Sequence, residues 1–160
     1  MTTEQVYDAL RESTAVVFST MLNTEVSAGE PCQQTDPPPL NGVMALLGFT
    51  GDWVGTGVFY CQESLACKLS SIMLMSEISE ITNDVLDGIG ELANMVLGNF
   101  KDHLEPVAGH LAISIPTVVY GRNFQTRTTA HRDWLVVPFV AGEDSFELRV
   151  CLTPRKAAKP

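Results

Sequence analysis

Basic residues are scarce in this chain. Ten Lys and Arg stand against nineteen Asp and Glu among 160 residues, a formal net charge of −9. That balance excludes the cationic footprint that nucleic acid or an anionic membrane surface demands. The one basic cluster, Arg155, Lys156 and Lys159, falls in the segment 155–160 and reads as a frayed tail behind a single domain, 1–154. Also missing is any run near the ~18 apolar residues of a membrane span. Glu4, Asp8, Arg11 and Glu12 interrupt the start of the chain and leave no secretory apolar core, so the expected location is the cytoplasm. The four cysteines, 32, 61, 67 and 151, show no CxxC spacing, and histidines 103, 110 and 131 do not meet them at ligand intervals. No metal centre is expected, and Cys61, Cys67 and Cys151 read as reduced core thiols.

What is present is a globular pattern of helices and strands. Val6, Leu10, Val17 and Met21 recur at helical spacing over 4–22, with Thr2 or Thr3 as the cap. "TEVSAGEP" suits a short strand, and "CQQTDPPPL" an exposed loop. "GVMALLGFTG" and "WVGTGVFYC" read as a hairpin turning at Gly51 and Asp52. A second helix is expected over 63–74. A long third one runs from about 80 to 105, with Ser79 or Thr82 as start signals and its end before Pro106 and Gly109. "LAISIPTVVYG", "NFQTRTTA", "WLVVPFVAG" and "SFELRVCLT" read as four strands, with turns at Gly121 and "AGEDS". Runs of strands without βαβ alternation give an α+β fold: long helices packed on a largely antiparallel sheet.

On a wheel of about 100° per residue, Val85, Leu86, Ile89, Leu92, Ala93, Val96, Leu97 and Phe100 form one apolar arc of the third helix. Asp84, Asp87, Glu91, Asn94 and Asp102 lie opposite, joined by Gly88, Met95 and Gly98. A solvated helix face also carries acids and amides. Helix-interior glycines, however, cost roughly 1 kcal/mol each against alanine, and on an outward face they are justified where another surface approaches the backbone. Asp87, Glu91, Asn94 and Gly98, spaced 4, 3 and 4, make a single stripe. Carboxylates at 84, 87 and 91 on one helix, with no imidazole, make a poor cation site.

The stretch "DGIGELANMVLGNFK" resembles the active helix of the CheC/CheX/FliY chemotaxis phosphatases, in which an acidic residue or Ser is followed four residues on by Glu and three further by Asn. Here these are Asp87, Glu91 and Asn94. The resemblance extends through "MLNTEV", "LLGFTGDWVGTGVFY", "SIPTVVYG" and the terminal strand pair, and is nearest to the CheX type. It implies a CheX-like domain that hydrolyses the aspartyl phosphate of a phosphorylated, CheY-like receiver domain. Asn94 would orient the attacking water, and Glu91 would pair with a receiver lysine. Asp87, Gly88, Met95 and Gly98 would touch the partner. No cofactor is expected on this chain, and Mg²⁺ would sit in the receiver. The alternative is a non-catalytic adaptor that uses the same face.

The first helix carries Asp8, Glu12, Ala15 and Ser19 at the same 4, 3, 4 spacing. The resemblance, in which the CheC type has two such motifs in pseudo-symmetric halves and the CheX type keeps one, implies a pseudo-repeat of helix plus strands with one active copy, Ala15 standing where the amide should be. The resemblance also implies a homodimer joined through the sheets. Pro138 is expected at an edge or bulge, close to that contact.

Overall fold

The structure is a computed structural model and describes residues 1–127 and 133–156. Helix α1 (Thr3–Leu22) begins at Thr2, whose hydroxyl accepts the Gln5 N–H while the Gln5 side chain accepts the Thr2 N–H, a reciprocal cap. Two short strands follow, β1 (Ser27–Ala28) and β2 (Cys32–Gln34), then the long hairpin β3 (Leu40–Gly51) and β4 (Trp53–Cys61). After α2 (Glu63–Leu74) and α3 (Asn83–Ala108), the order of two edge strands and a hairpin returns, with the second edge strand now eight residues long. It consists of β5 (Leu111–Ile113), β6 (Thr117–Phe124), β7 (Trp134–Ala141) and β8 (Asp144–Pro154).

The two sets exchange their edges. All pairings are antiparallel, and the central rows run β7-β8-β4-β3. β1 and β2 from the first set close the sheet against β7, while β5 and β6 from the second close it against β3. The repeat extends to detail. Gly29, just after β1, donates its N–H to the Pro138 carbonyl of β7, as Ser114, just after β5, donates to the Gly48 carbonyl of β3. Each edge pair is interrupted by a proline, Pro31 or Pro116, that immediately precedes its second strand.

The helices cover one face of the sheet. Val85, Ile89, Leu92, Ala93, Val96, Leu97 and Phe100 are fully buried there, as the wheel required, and Leu86 packs half-buried at the margin. α1 is locked to the sheet through aromatic rings. Phe18 stacks on Phe146 of β8 with centroids 4.8 Å apart, and Phe146 also meets Phe59 and Phe139 at 5.2 Å. A smaller cluster, including Met44, Val58, Trp134 and Cys151, lies on the opposite face.

Several expectations need correction. Cys32–Gln34 is a strand rather than part of a loop: no proline falls between Pro31 and Pro37, so these residues keep the N–H groups a ladder needs. α3 continues through Pro106 to Ala108, because Leu104 and Ala108 are still buried and the carbonyl deprived of its donor belongs to exposed Asp102. It stops at Gly109 (φ 81°), where the Asp52 carboxylate accepts the His110 N–H at 2.9 Å. Gly121 is not a turn but lies within β6 opposite Gly42, where the β3/β6 register shifts. Of "NFQTRTTA", only Asn123 and Phe124 are in a strand, and residues 128–130 lie outside the described part, as do residues 157–160 of the basic tail. Pro138 is not at an edge. It lies in β7 between β8 and the β1/β2 row, and its missing N–H faces the break between those two short strands, so no ladder bond is lost.

Replacing Phe146 by Ala removes the ring shared by three others and leaves a cavity that rigid strands cannot close. Urea unfolding should show a loss of about 3–5 kcal/mol for Phe146→Ala at an unchanged m-value.

Candidate functional site

α3 is hemmed in on three sides. The sheet lies beneath it. On one flank, the α1 residue Ser13 meets His103 (Oγ to Nδ1, 3.4 Å), and Ser70 of α2 faces Gly88, where an added Cβ would come within 3.2 Å of its hydroxyl. On the other flank run β5, residues 114–116 and β6. A Cβ at Gly90 would lie 3.1 Å from Val118 and 3.6 Å from Pro116, and one at Gly98 would lie 3.7 Å from Ile113. One stripe remains open, and it holds Asp84, Asp87, Glu91, Asn94 and Gly98.

Asp87 and Glu91 are exposed, and Asn94 is half-buried. None of the three side chains makes a hydrogen bond or ion pair among the described residues. The next cation along the helix, Lys101, is already held by Asp102 at 2.8 Å and Glu105 at 3.2 Å, contacts that raise its pKa. Glu91 therefore stays an unpaired anion, free to meet a partner's cation. One turn on, the Asn94 carboxamide offers both donor and acceptor without taking a proton. Asn94 stands four residues after Gly90 and four before Gly98, so it faces the same flank as residues 113–116.

The matching stripe on α1 is differently employed. Asp8 pairs with Arg11 at 3.2 Å, and Glu12 approaches Arg11 and His103, each at 3.8 Å. Ala15 offers no polar group. The α1 carboxylates are thus engaged within the chain while those of α3 are not.

The glycines divide by cause. Gly88 is half-buried against α2, and Gly90 is buried against Pro116 and Val118, so both are accounted for by close packing inside the fold. Gly98 has ordinary contact distance to Ile113 and room for a methyl group. Met95 is half-buried and packs against the main core from the flank opposite Asn94. The sequence reading placed residues 114–116, which border the stripe, inside one strand over "LAISIPTVVYG", whereas the structure breaks that segment into β5 and β6 at these three residues. The available signal was the proline of "SIPT", which interrupts the strand ladder there.

Among the described residues no group of three or more His, Cys, Asp or Glu side chains is placed to hold a metal ion. None of their helices is long and apolar enough to cross a membrane. Cys61, Cys67 and Cys151 are buried and unbridged, and burial pushes the Cys61 thiol up to about 12, leaving it inert.

Three comparisons bear on this arrangement. Residues 43–140 match the family model described as chemotaxis phosphatase CheX. The CheY-P phosphatase CheX of Thermotoga maritima is 27% identical over 125 residues, covering 78% of this chain and 81% of that protein. Among solved structures, a CheC-like superfamily protein from Shewanella sp. PV-4 superposes with a TM-score of 0.84 at 25% identity, covering 96% of this chain and 99% of that one. The CheX chain in a CheX-CheY-BeF3-Mg²⁺ complex from Borrelia burgdorferi shares the fold, with a TM-score of 0.79 at 20% identity over 92% and 97% of the two chains.

Gly98 and Gly88 should respond oppositely to substitution. Gly98→Ala should gain up to about 1 kcal/mol from helix propensity. Gly88→Leu should lose about 1–3 kcal/mol by forcing α2 and α3 apart. Urea midpoints of the two variants check both signs.

Proposed function

The chain belongs to the chemotaxis phosphatase CheX family, and from that premise we propose that it hydrolyses the aspartyl phosphate of a CheY-like receiver domain through Glu91 and Asn94. The observation that carries the reading is the open stripe of α3, where an unpaired carboxylate and a neutral carboxamide sit one turn apart. An acyl phosphate is already labile, so its hydrolysis needs a water held in line with phosphorus more than it needs covalent chemistry. Asn94 enters the receiver's pocket and orients that water by accepting one of its hydrogens, leaving an oxygen lone pair toward phosphorus. As the new P–O bond forms, the bond to the aspartyl oxygen breaks, and the receiver regains its carboxylate. Mg²⁺ would be held by the receiver and would neutralise the phosphoryl oxygens; among the described residues of this chain no group of three or more His, Cys, Asp or Glu side chains is placed to hold a metal ion.

Glu91 is repelled by a phosphoryl group and instead pairs with a receiver lysine, which fixes the register of Asn94. Asp87 and Gly98 lie on the same open stripe and form the rest of the contact, while Gly88 and Met95, half-buried beside it, border that contact. The protein works in the cytoplasm as a homodimer joined through its sheets. β6 supports that assembly, since it pairs with β3 on one side and its other edge has no partner strand among the described residues. Light scattering in the micromolar range should give twice the 17.4 kDa chain mass.

Asn94→Ala should lower kcat by about 10²-fold or more while leaving the urea midpoint within error. Glu91→Lys should mainly weaken binding of the phosphorylated receiver. Both are measured as receiver dephosphorylation at substoichiometric enzyme, which also separates a phosphatase from an adaptor that binds without turnover. Wild-type activity in Asn94→Ala would remove that residue from the mechanism.

A further inference from the structure

Ile115 is 85% exposed, whereas no other Val, Leu or Ile among the described residues exceeds 49%. Burial is the ordinary fate of an isoleucine, and here the backbone prevents it. The Ser114 N–H donates to the Gly48 carbonyl at 2.9 Å, and the Gly48 N–H donates to the Ser114 hydroxyl oxygen, also at 2.9 Å. That hydroxyl donates in turn to the Ile115 carbonyl at 3.0 Å. Pro116 follows and holds Ile115 in an extended conformation, while its own ring lies against α3 at Gly90. Ile115 is thus strapped at both ends and presented outward.

Its position relative to the site follows from the same contacts. Ile113 lies beside Gly98 and Pro116 beside Gly90, so residues 113–116 run antiparallel to α3 past the flank on which Asn94 stands. The pseudo-repeat supplies an internal comparison. In the first half the matching hydrogen bond is made by Gly29, the matching proline is Pro31, and the residue between them is exposed Glu30. The apolar residue occurs at this position only in the half whose helix carries the carboxamide; the other half has Glu30 and Ala15.

We propose that Ile115 is the apolar anchor by which this site docks its receiver domain, entering a hydrophobic hollow on the receiver beside the phosphorylated aspartate and selecting receivers that have one. The inference rests on the phosphatase reading above and extends it from catalysis to partner choice. A rigid aliphatic side chain next to a polar stripe has the composition of an interface centre. It buries apolar surface at little entropic cost because its backbone is already fixed.

The test uses the full chain with Ile115→Ala, Ile115→Glu and, as control, Glu30→Ala, against a CheY-like receiver from the source organism. KM is read from dephosphorylation of the phosphorylated receiver, and Kd from titration of its beryllofluoride-activated form. Both Ile115 variants should raise KM and Kd by about tenfold or more, with kcat within about twofold and the urea midpoint unchanged. Glu30→Ala should alter none of these. Unchanged KM and Kd in Ile115→Glu would overturn the proposal, and so would a loss confined to kcat. If the wild-type protein binds the activated receiver without hydrolysing the phosphorylated one, the phosphatase reading falls and Kd alone decides the role of Ile115. If it binds no receiver, both fall.

Discussion

A helix at the centre of its layer has almost no free surface, and that constraint governs this protein. α3 must bury one face on the sheet, one flank on α1 and α2, and the other on the β5/β6 strap. Three contacts on one cylinder are possible only where side chains are absent, and Gly88 and Gly90 are the places where they are. Gly57 does the same from below: a Cβ there would come within 2.9 Å of the Leu97 side chain. The stripe left over is narrow, rigid and defined on both sides. A group that must place one water molecule needs a support of this kind, because its position is set by packed neighbours instead of by a loop.

The internal repeat shows how one scaffold gives two different surfaces. α1 and α3 hold equivalent places beside equivalent split edges, yet on α1 Arg11 and His103 draw the carboxylates of Asp8 and Glu12 into contacts within the chain. On α3 the nearest cation is occupied further along, and Glu91 is left without a partner. Electrostatic self-satisfaction closes one face and its absence opens the other.

Much of this was readable from residues alone. The buried arc of α3 and the stripe opposite it follow from the 3.6-residue period, which depends on local geometry and needs no knowledge of neighbours. The hairpin at Gly51 and Asp52 and the turn at Gly142 were marked by their own turn chemistry. What escaped was set by tertiary partners. Gly88 looked outward on a wheel, yet α2 happens to lie there. Pro138 looked like an edge residue, yet it is accommodated because the neighbouring row is broken opposite it. Gly121 has the composition of a turn, but the bulge at Gly42 uses it inside a strand. The exchange of edges between the two halves leaves no local trace, since β1, β2 and β5 are each only two or three residues long.

That exchange orders events as the chain leaves the ribosome. β3 and β4 pair early, being neighbours in sequence, but the outer edge of β3 waits for Leu111 and the residues after it, and β4 waits for β8, more than 80 residues further on. β1 and β2, made among the first residues, have no partner until β7 appears. The nascent first half therefore carries open strand edges until β7 and β8 have been made. Folding of the two halves is consequently a single late event, and the helix that bears Glu91 and Asn94 acquires its supporting strap only when the second half closes over the first.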